Sequence, residues 1–95
     1  MKRYWSPQAI EDLAALRSFI ESDDSAAARR TALRIIEAVE TLIPANPQAG
    51  RPGRVPGTRE LVIARTPYIA PYRVRDGTIE VLRVFHGARR WPDRL

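Results

Sequence analysis

The C-terminal third of the chain, Pro67 to Trp91, reads PYIAPYRVRDGTIEVLRVFHGARRW, and the Asp76-Gly77 pair inside it constrains the fold more than any other feature. Asp-Gly between two apolar, β-branched runs predicts a tight antiparallel hairpin, because both turn positions need positive φ. A two-residue turn there pairs Arg75 with Thr78, Val74 with Ile79, Arg73 with Glu80 and Tyr72 with Val81. That register sets an aliphatic pair beside an arginine–glutamate pair on opposite faces, and both kinds of cross-strand pair stabilise a sheet. Pro71 is discordant. It cannot donate to a ladder, so it is expected at a bulge or with its nitrogen side unpaired.

Upstream, residues 2–6 form a short strand candidate. Ser6-Pro7 then reads as an N-cap followed by proline at the first helical position, where a missing N–H costs nothing. Ala9, Leu13, Leu16 and Ile20 recur at helical spacing, with Ile10 and Phe19 widening the apolar face, and Glu11 and Asp12 fall in the first turns. The helix is expected to stop near Glu21. Asp24 or Ser25 caps a second helix whose apolar positions are Ala28, Ala32, Ile35, Val39 and Leu42, joined by Ile36 and Ile43, with Pro44 ending it. Two helices joined by a short polar link make an antiparallel hairpin. From Pro44 to Gly57 four prolines and three glycines predict a loop. Thr58 to Arg65, centred on Leu61-Val62-Ile63, is the next strand, and Thr66-Pro67 turns it into the Asp-Gly hairpin. The order β-α-α-β-β-β predicts an α+β fold, with the N-terminal strand and helical hairpin packed on an antiparallel sheet.

The charge is unevenly distributed. Residues 1–43 hold six basic and seven acidic side chains; residues 44–95 hold ten and four. All basic residues but Lys2 are arginine, whose planar fork grips carboxylates and phosphates. The second half therefore expects an anionic partner, nucleic acid or an acidic protein. Without cysteine, disulfides and thiolate metal sites are excluded, and the lone histidine excludes a His-rich site. No cofactor is expected. No apolar run approaches bilayer length, and the N-terminus lacks a signal peptide's apolar stretch, so the expectation is a cytoplasmic protein without membrane contact.

The strings GTRELVI, PYIAPYRV and IEVLRVFHGARRWP, in this order of elements, resemble the ParE branch of the RelE/ParE toxin superfamily from Trp5 to Pro92. The resemblance implies one toxin domain over residues 1–95, belonging to a type II toxin–antitoxin pair. It also implies a cognate antitoxin with a small acidic C-terminal segment. Two targets stay open. ParE-type members poison DNA gyrase, and the resemblance favours that reading; RelE-type members cut messenger RNA on the ribosome.

Ribonucleolytic cleavage needs a base, an acid and cations around the phosphorane. The candidates are His86, Glu60, Arg59, Arg73 and Arg83. Continuing the strand alternation past the hairpin puts His86 on the face of Arg73 and Glu80, with Arg83 on the other. For a binding toxin, the contact candidates are Arg51, Arg54, Arg59, Arg83, Arg89, Arg90 and Trp91. Arg51 and Arg54 extend the cationic surface, and Arg59 and Arg83 have no partner evident in the sequence. An acidic antitoxin segment is expected to cross the apolar groove of the helical hairpin and finish on the arginine-rich sheet, helped by strand addition.

Overall fold

Asp76 and Gly77 adopt φ of 52° and 72° in the computed structural model, which describes residues 1–95. The elements are β1 (Lys2–Trp5), α1 (Pro7–Glu21), α2 (Ser25–Ala45), β2 (Arg51–Pro52), β3 (Arg59–Val62), β4 (Tyr68–Arg75), β5 (Thr78–Val81) and β6 (Phe85–His86). The β4–β5 register is the one the Asp-Gly turn dictates, from Tyr72 opposite Val81 to Arg75 opposite Thr78. The sheet order is β1-β5-β4-β3-β2, and β6 adds to the first half of β4. β1 lies parallel to β5, so the sheet is mixed, with one parallel pairing among antiparallel ones.

Two turn-and-loop regions differ from expectation. The third strand is shorter than Thr58–Arg65: pairing stops at Val62, and Arg65 (φ 63°) bends the chain, with Thr66 N–H donating to the Ile63 carbonyl at 3.2 Å. The proline-glycine loop contains β2, which pairs Arg51 with Glu60 and Pro52 with Arg59. α2 runs one residue past Pro44.

The helices pack on one sheet face. Ala9 and Leu16 of α1, with Ala28, Ala32, Ile35, Val39 and Ile43 of α2, are buried. The cluster they enter includes Leu61, Tyr72, Ile79 and Val81. Each fully buried Ile or Val contributes about 1.5–3 kcal/mol, well above the 0–1 kcal/mol of a surface ion pair. Burial of these stripes therefore holds the helix pair. Not every apolar position is covered: Ile10 is 57% exposed and Phe19 73%.

Pro71 sits inside β4, fully buried, opposite Glu60 of β3. Its backbone faces Leu82, whose N–H donates to the Pro71 carbonyl at 2.9 Å. The Leu82 carbonyl opposite the missing donor instead accepts the Ser6 hydroxyl at 2.7 Å. Ser6 Oγ also accepts the Ala9 N–H at 3.0 Å, so one side chain caps α1 and closes the gap left by proline.

Candidate interaction surface

Along β3 and β4, side chains alternate between the helix face and the opposite face. Glu60, Pro71 and Arg73 point away from the helices. Glu60 lies under the proline-glycine loop with its side chain only 3% exposed, and both oxygens are used. Oε1 accepts from Arg51 Nε and NH2 at 3.2 and 3.1 Å; Oε2 accepts from the Arg54 N–H at 2.8 Å and Arg54 Nε at 3.2 Å. Burial alone would push the carboxyl up, but these bonds and the arginine charge outweigh it and hold Glu60 below its ordinary value. Arg51 and Arg54 thus fasten a loop to a carboxylate instead of standing free. Glu80 similarly holds Arg73 Nε at 2.6 Å and Arg75 NH2 at 3.2 Å, and its carboxyl is lowered chiefly by the Arg73 hydrogen bond.

Trp91 neither closes the core nor projects freely. Its ring lies 3.7 Å beneath the Arg54 guanidinium and 4.8 Å from the Phe85 ring, a cation–π and aromatic stack on the sheet face away from the helices. Arg83 supplies the opposite edge, 4.6 Å from the Phe85 ring. Arg89 and Arg90 remain exposed on the tail.

The parity expectation fails at His86. β5 ends at Val81, and residues 82–84 leave the strand and break the alternation. When pairing resumes, His86 faces Tyr68 on the helix side of the sheet, opposite to Arg73. Its Nδ1 accepts the Ala88 N–H at 3.1 Å, and its ring meets Tyr68 edge-on at 5.5 Å. Arg83 does have a partner: it grips Asp12 of α1 through Nε at 2.7 Å and NH2 at 2.9 Å. Arg59 has one too, donating from NH1 to the Gly50 carbonyl at 2.9 Å. All five catalytic candidates are thus held by different groups inside the fold, on both sides of the sheet.

Sequence reasoning missed Gly50 and the distant partners of Ser6 and Asp12, the Leu82 carbonyl and Arg83. Asp12 reads only as a dipole-complementing residue, yet it lies beyond the first turn of α1 and meets Arg83 across 71 positions. Glu60 carried a usable signal: it is the one carboxylate in the stretch that holds Arg51, Arg54 and Arg59, and it takes the first two of them.

On the outer side of the helical hairpin, Ile10, Leu13 and Ala14 of α1 face Ala32 and Ile36 of α2 across an open groove of about 430 Å³. No helix is long and apolar enough to cross a membrane.

The sequence model of the family described as "ParE toxin of type II toxin-antitoxin system, parDE" matches residues 4–91. The chain belongs to this family. Among its relatives, "Putative toxin Y4kP" of Sinorhizobium fredii is 46% identical over 92 residues, 96% of this chain and 93% of that protein. "Toxin RelE2" of Caulobacter vibrioides is 38% identical over 85 residues, covering 90% and 93%. The ParE-family fold described above matches the chromosomal ParDE system from P. aeruginosa with a TM-score of 0.83 at 35% identity, over 90% of this chain and 95% of that one. It matches the RelBE2 toxin–antitoxin complex from Mycobacterium tuberculosis with a TM-score of 0.67 at 25% identity, over 93% and 92%. The β-α-α-β-β-β reading and the toxin resemblance both stand on these matches.

Proposed function

We propose that this ParE-family toxin acts by binding rather than by catalysis, with DNA gyrase as its target, and that a cognate antitoxin neutralises it. The engagement of the catalytic candidates carries the reading. Glu60 is fully bonded to arginines, His86 Nδ1 is occupied by the tail's own N–H, and Arg59, Arg73 and Arg83 serve Gly50, Glu80 and Asp12. A ribonuclease of this fold would need an acid and a base free to meet one phosphate. The gyrase target itself follows from the family resemblance.

The tail residues Arg89, Arg90 and Trp91 are the target contact in this reading, and the groove at Ile10 and Ile36 receives an apolar stripe of the antitoxin. The two toxin–antitoxin systems among the structural matches support a protein partner. The second reading, a ribosome-dependent mRNA endoribonuclease, is favoured by the similarity to proteins named RelE2 and RelBE2.

Induced expression separates them. An early DNA-damage response and filamentation with intact transcripts is the expected result. Rapid loss of translation with cleaved transcripts, abolished by His86→Ala, would select the ribonuclease. Replacing Arg89, Arg90 and Trp91 together by alanine is expected to abolish toxicity while the fold is kept; retained toxicity removes the tail from target contact.

A further inference from the structure

Every residue after His86 is exposed except Trp91. Pro92 to Leu95 make no hydrogen bond or ion pair, and the side chains of Arg89 and Arg90 make none either. The start of the tail is set by its backbone. Gly87 N–H donates to the Pro67 carbonyl at 2.7 Å, Ala88 N–H to His86 Nδ1 at 3.1 Å and Arg89 N–H to the His86 carbonyl at 3.0 Å. Beyond Arg89 the Trp91 side chain places the tail. Its Nε1–H reaches the His86 carbonyl only at 3.4 Å, a weak bond, so the ring depends on what stacks against it.

Two partners hold the ring, and each is fixed from behind. Phe85, 9% exposed, lies 4.8 Å away and carries the Arg83 guanidinium at 4.6 Å. Arg83 in turn is bound to Asp12 of α1 at 2.7 Å. Arg54, from the proline-glycine loop, sets its guanidinium 3.7 Å from the ring centroid. Glu60 Oε2 fixes Arg54 twice, through the backbone N–H at 2.8 Å and Nε at 3.2 Å. The guanidinium has therefore lost much of its rotamer freedom before it meets the indole, the ring that attracts a cation best. Arg51 shares Glu60 through Oε1 but makes no cation–π contact with Trp91.

We infer that Arg54 is a positioning residue of the toxin: held by Glu60, it stacks on Trp91 and so fixes the direction in which Arg89 and Arg90 leave the sheet. The proline-glycine loop then serves the target site without touching the target. This rests on the reading of the tail as target contact and adds to it a residue that acts through Trp91. A tail ordered in advance loses less freedom on docking, so more of its contact energy appears as affinity.

The test compares Arg54→Gln, which keeps the backbone bond to Glu60 but removes the cation, with Arg54→Lys, which restores a cation over the ring. Arg51→Gln takes the other guanidinium from Glu60 and shows what loosening the loop does alone. Two readouts are taken: the amount of protein needed to arrest growth on induced expression, and the heteronuclear NOE of the Trp91 indole and the Arg89 and Arg90 amides in the purified chain. Arg54→Gln is expected to raise the amount needed about 3- to 30-fold, the range of one cation–π contact, and to lower the NOEs. Arg54→Lys is expected to recover most of both, and Arg51→Gln to leave the NOEs as they are. Unchanged NOEs and toxicity in Arg54→Gln, equal losses in Arg51→Gln, or losses that Arg54→Lys does not recover overturn the inference and leave the tail reading standing. If Arg54→Gln does not fold, Trp91→Leu removes the same stack from the other side, and unchanged NOEs at Arg89 and Arg90 there overturn it equally. Toxicity kept when Arg89, Arg90 and Trp91 are all alanine removes the tail reading and this inference with it.

Discussion

Arg83 and Asp12 form a two-pronged ion pair, Nε to Oδ2 at 2.7 Å and NH2 to Oδ1 at 2.9 Å, and Asp12 Oδ2 also accepts the Val84 N–H at 3.0 Å. Both side chains are largely covered, 27% and 17% exposed. The pair ties the first helix to the segment between β5 and β6, and Asp12 together with burial sets Arg83: the hydrogen bond and charge raise it while burial opposes. Asp12→Asn keeps the shape but removes the charge. It is expected to cost about 2 kcal/mol, the scale of a charged hydrogen bond, read as a lower urea midpoint at unchanged slope. Arg83→Ala added to it should cost little more, because the partner is already lost.

Glu60 gives the fold a defined acid limb. Its folded pKa lies below the unfolded value of about 4.3, so its contribution is fully present above that pH and is lost as pH falls through the folded pKa. Glu60→Gln is expected to cost about 1–3 kcal/mol at pH 7, since Arg51 and Arg54 are half exposed and can rehydrate. Urea midpoints of the two proteins should converge as pH drops from 5 toward 3, on the order of one to two pH units around that unfolded value. A gap that persists at low pH would mean the carboxylate is not the source of the difference.

Ser6 is predicted to matter beyond its role as a cap. Ser6→Ala removes the α1 N-cap and the donor to the Leu82 carbonyl opposite Pro71. The cap is worth about 1–2 kcal/mol by itself, and the stranded carbonyl should place the loss at the upper end. Ser6→Gly restores neither hydroxyl bond but tolerates the cap, and its thermal midpoint should fall between the two.

Gly50 lies where a side chain has no room. A Cβ there would come 2.6 Å from Tyr72 Cε1 and 2.9 Å from the Tyr72 hydroxyl. That hydroxyl accepts the Gly50 N–H at 2.9 Å and donates to the Pro47 carbonyl at 2.8 Å, so the ring cannot retreat without breaking both bonds. Gly50→Ala is expected to destabilise by about 1–3 kcal/mol, as overpacking does, and Gly50→Ala/Tyr72→Phe by less than the two single changes added. Additive losses in a thermal melt would show that the contact does not couple them.

The sequence by itself determined the parts of this ParE-family protein whose cause is local. Asp76-Gly77 set the β4–β5 register to the residue because its turn needs two positive φ values, and Ser6-Pro7 and Asp24 marked the helix starts through caps that reach three residues. The spacing of Ala28, Ala32, Ile35 and Val39 named the buried face of α2 for the same reason, but it continued that face to Leu42, which is 51% exposed, where the fold buries Ile43 instead. Tertiary structure alone decided which charges are free. Whether an arginine stands in solvent depends on a carboxylate or carbonyl brought to it from elsewhere, as Asp12 is to Arg83 across 71 positions, and no local pattern encodes that distance. Strand parity likewise carries only as far as the pairing lasts; three residues off the ladder were enough to turn His86 to the other side of the sheet.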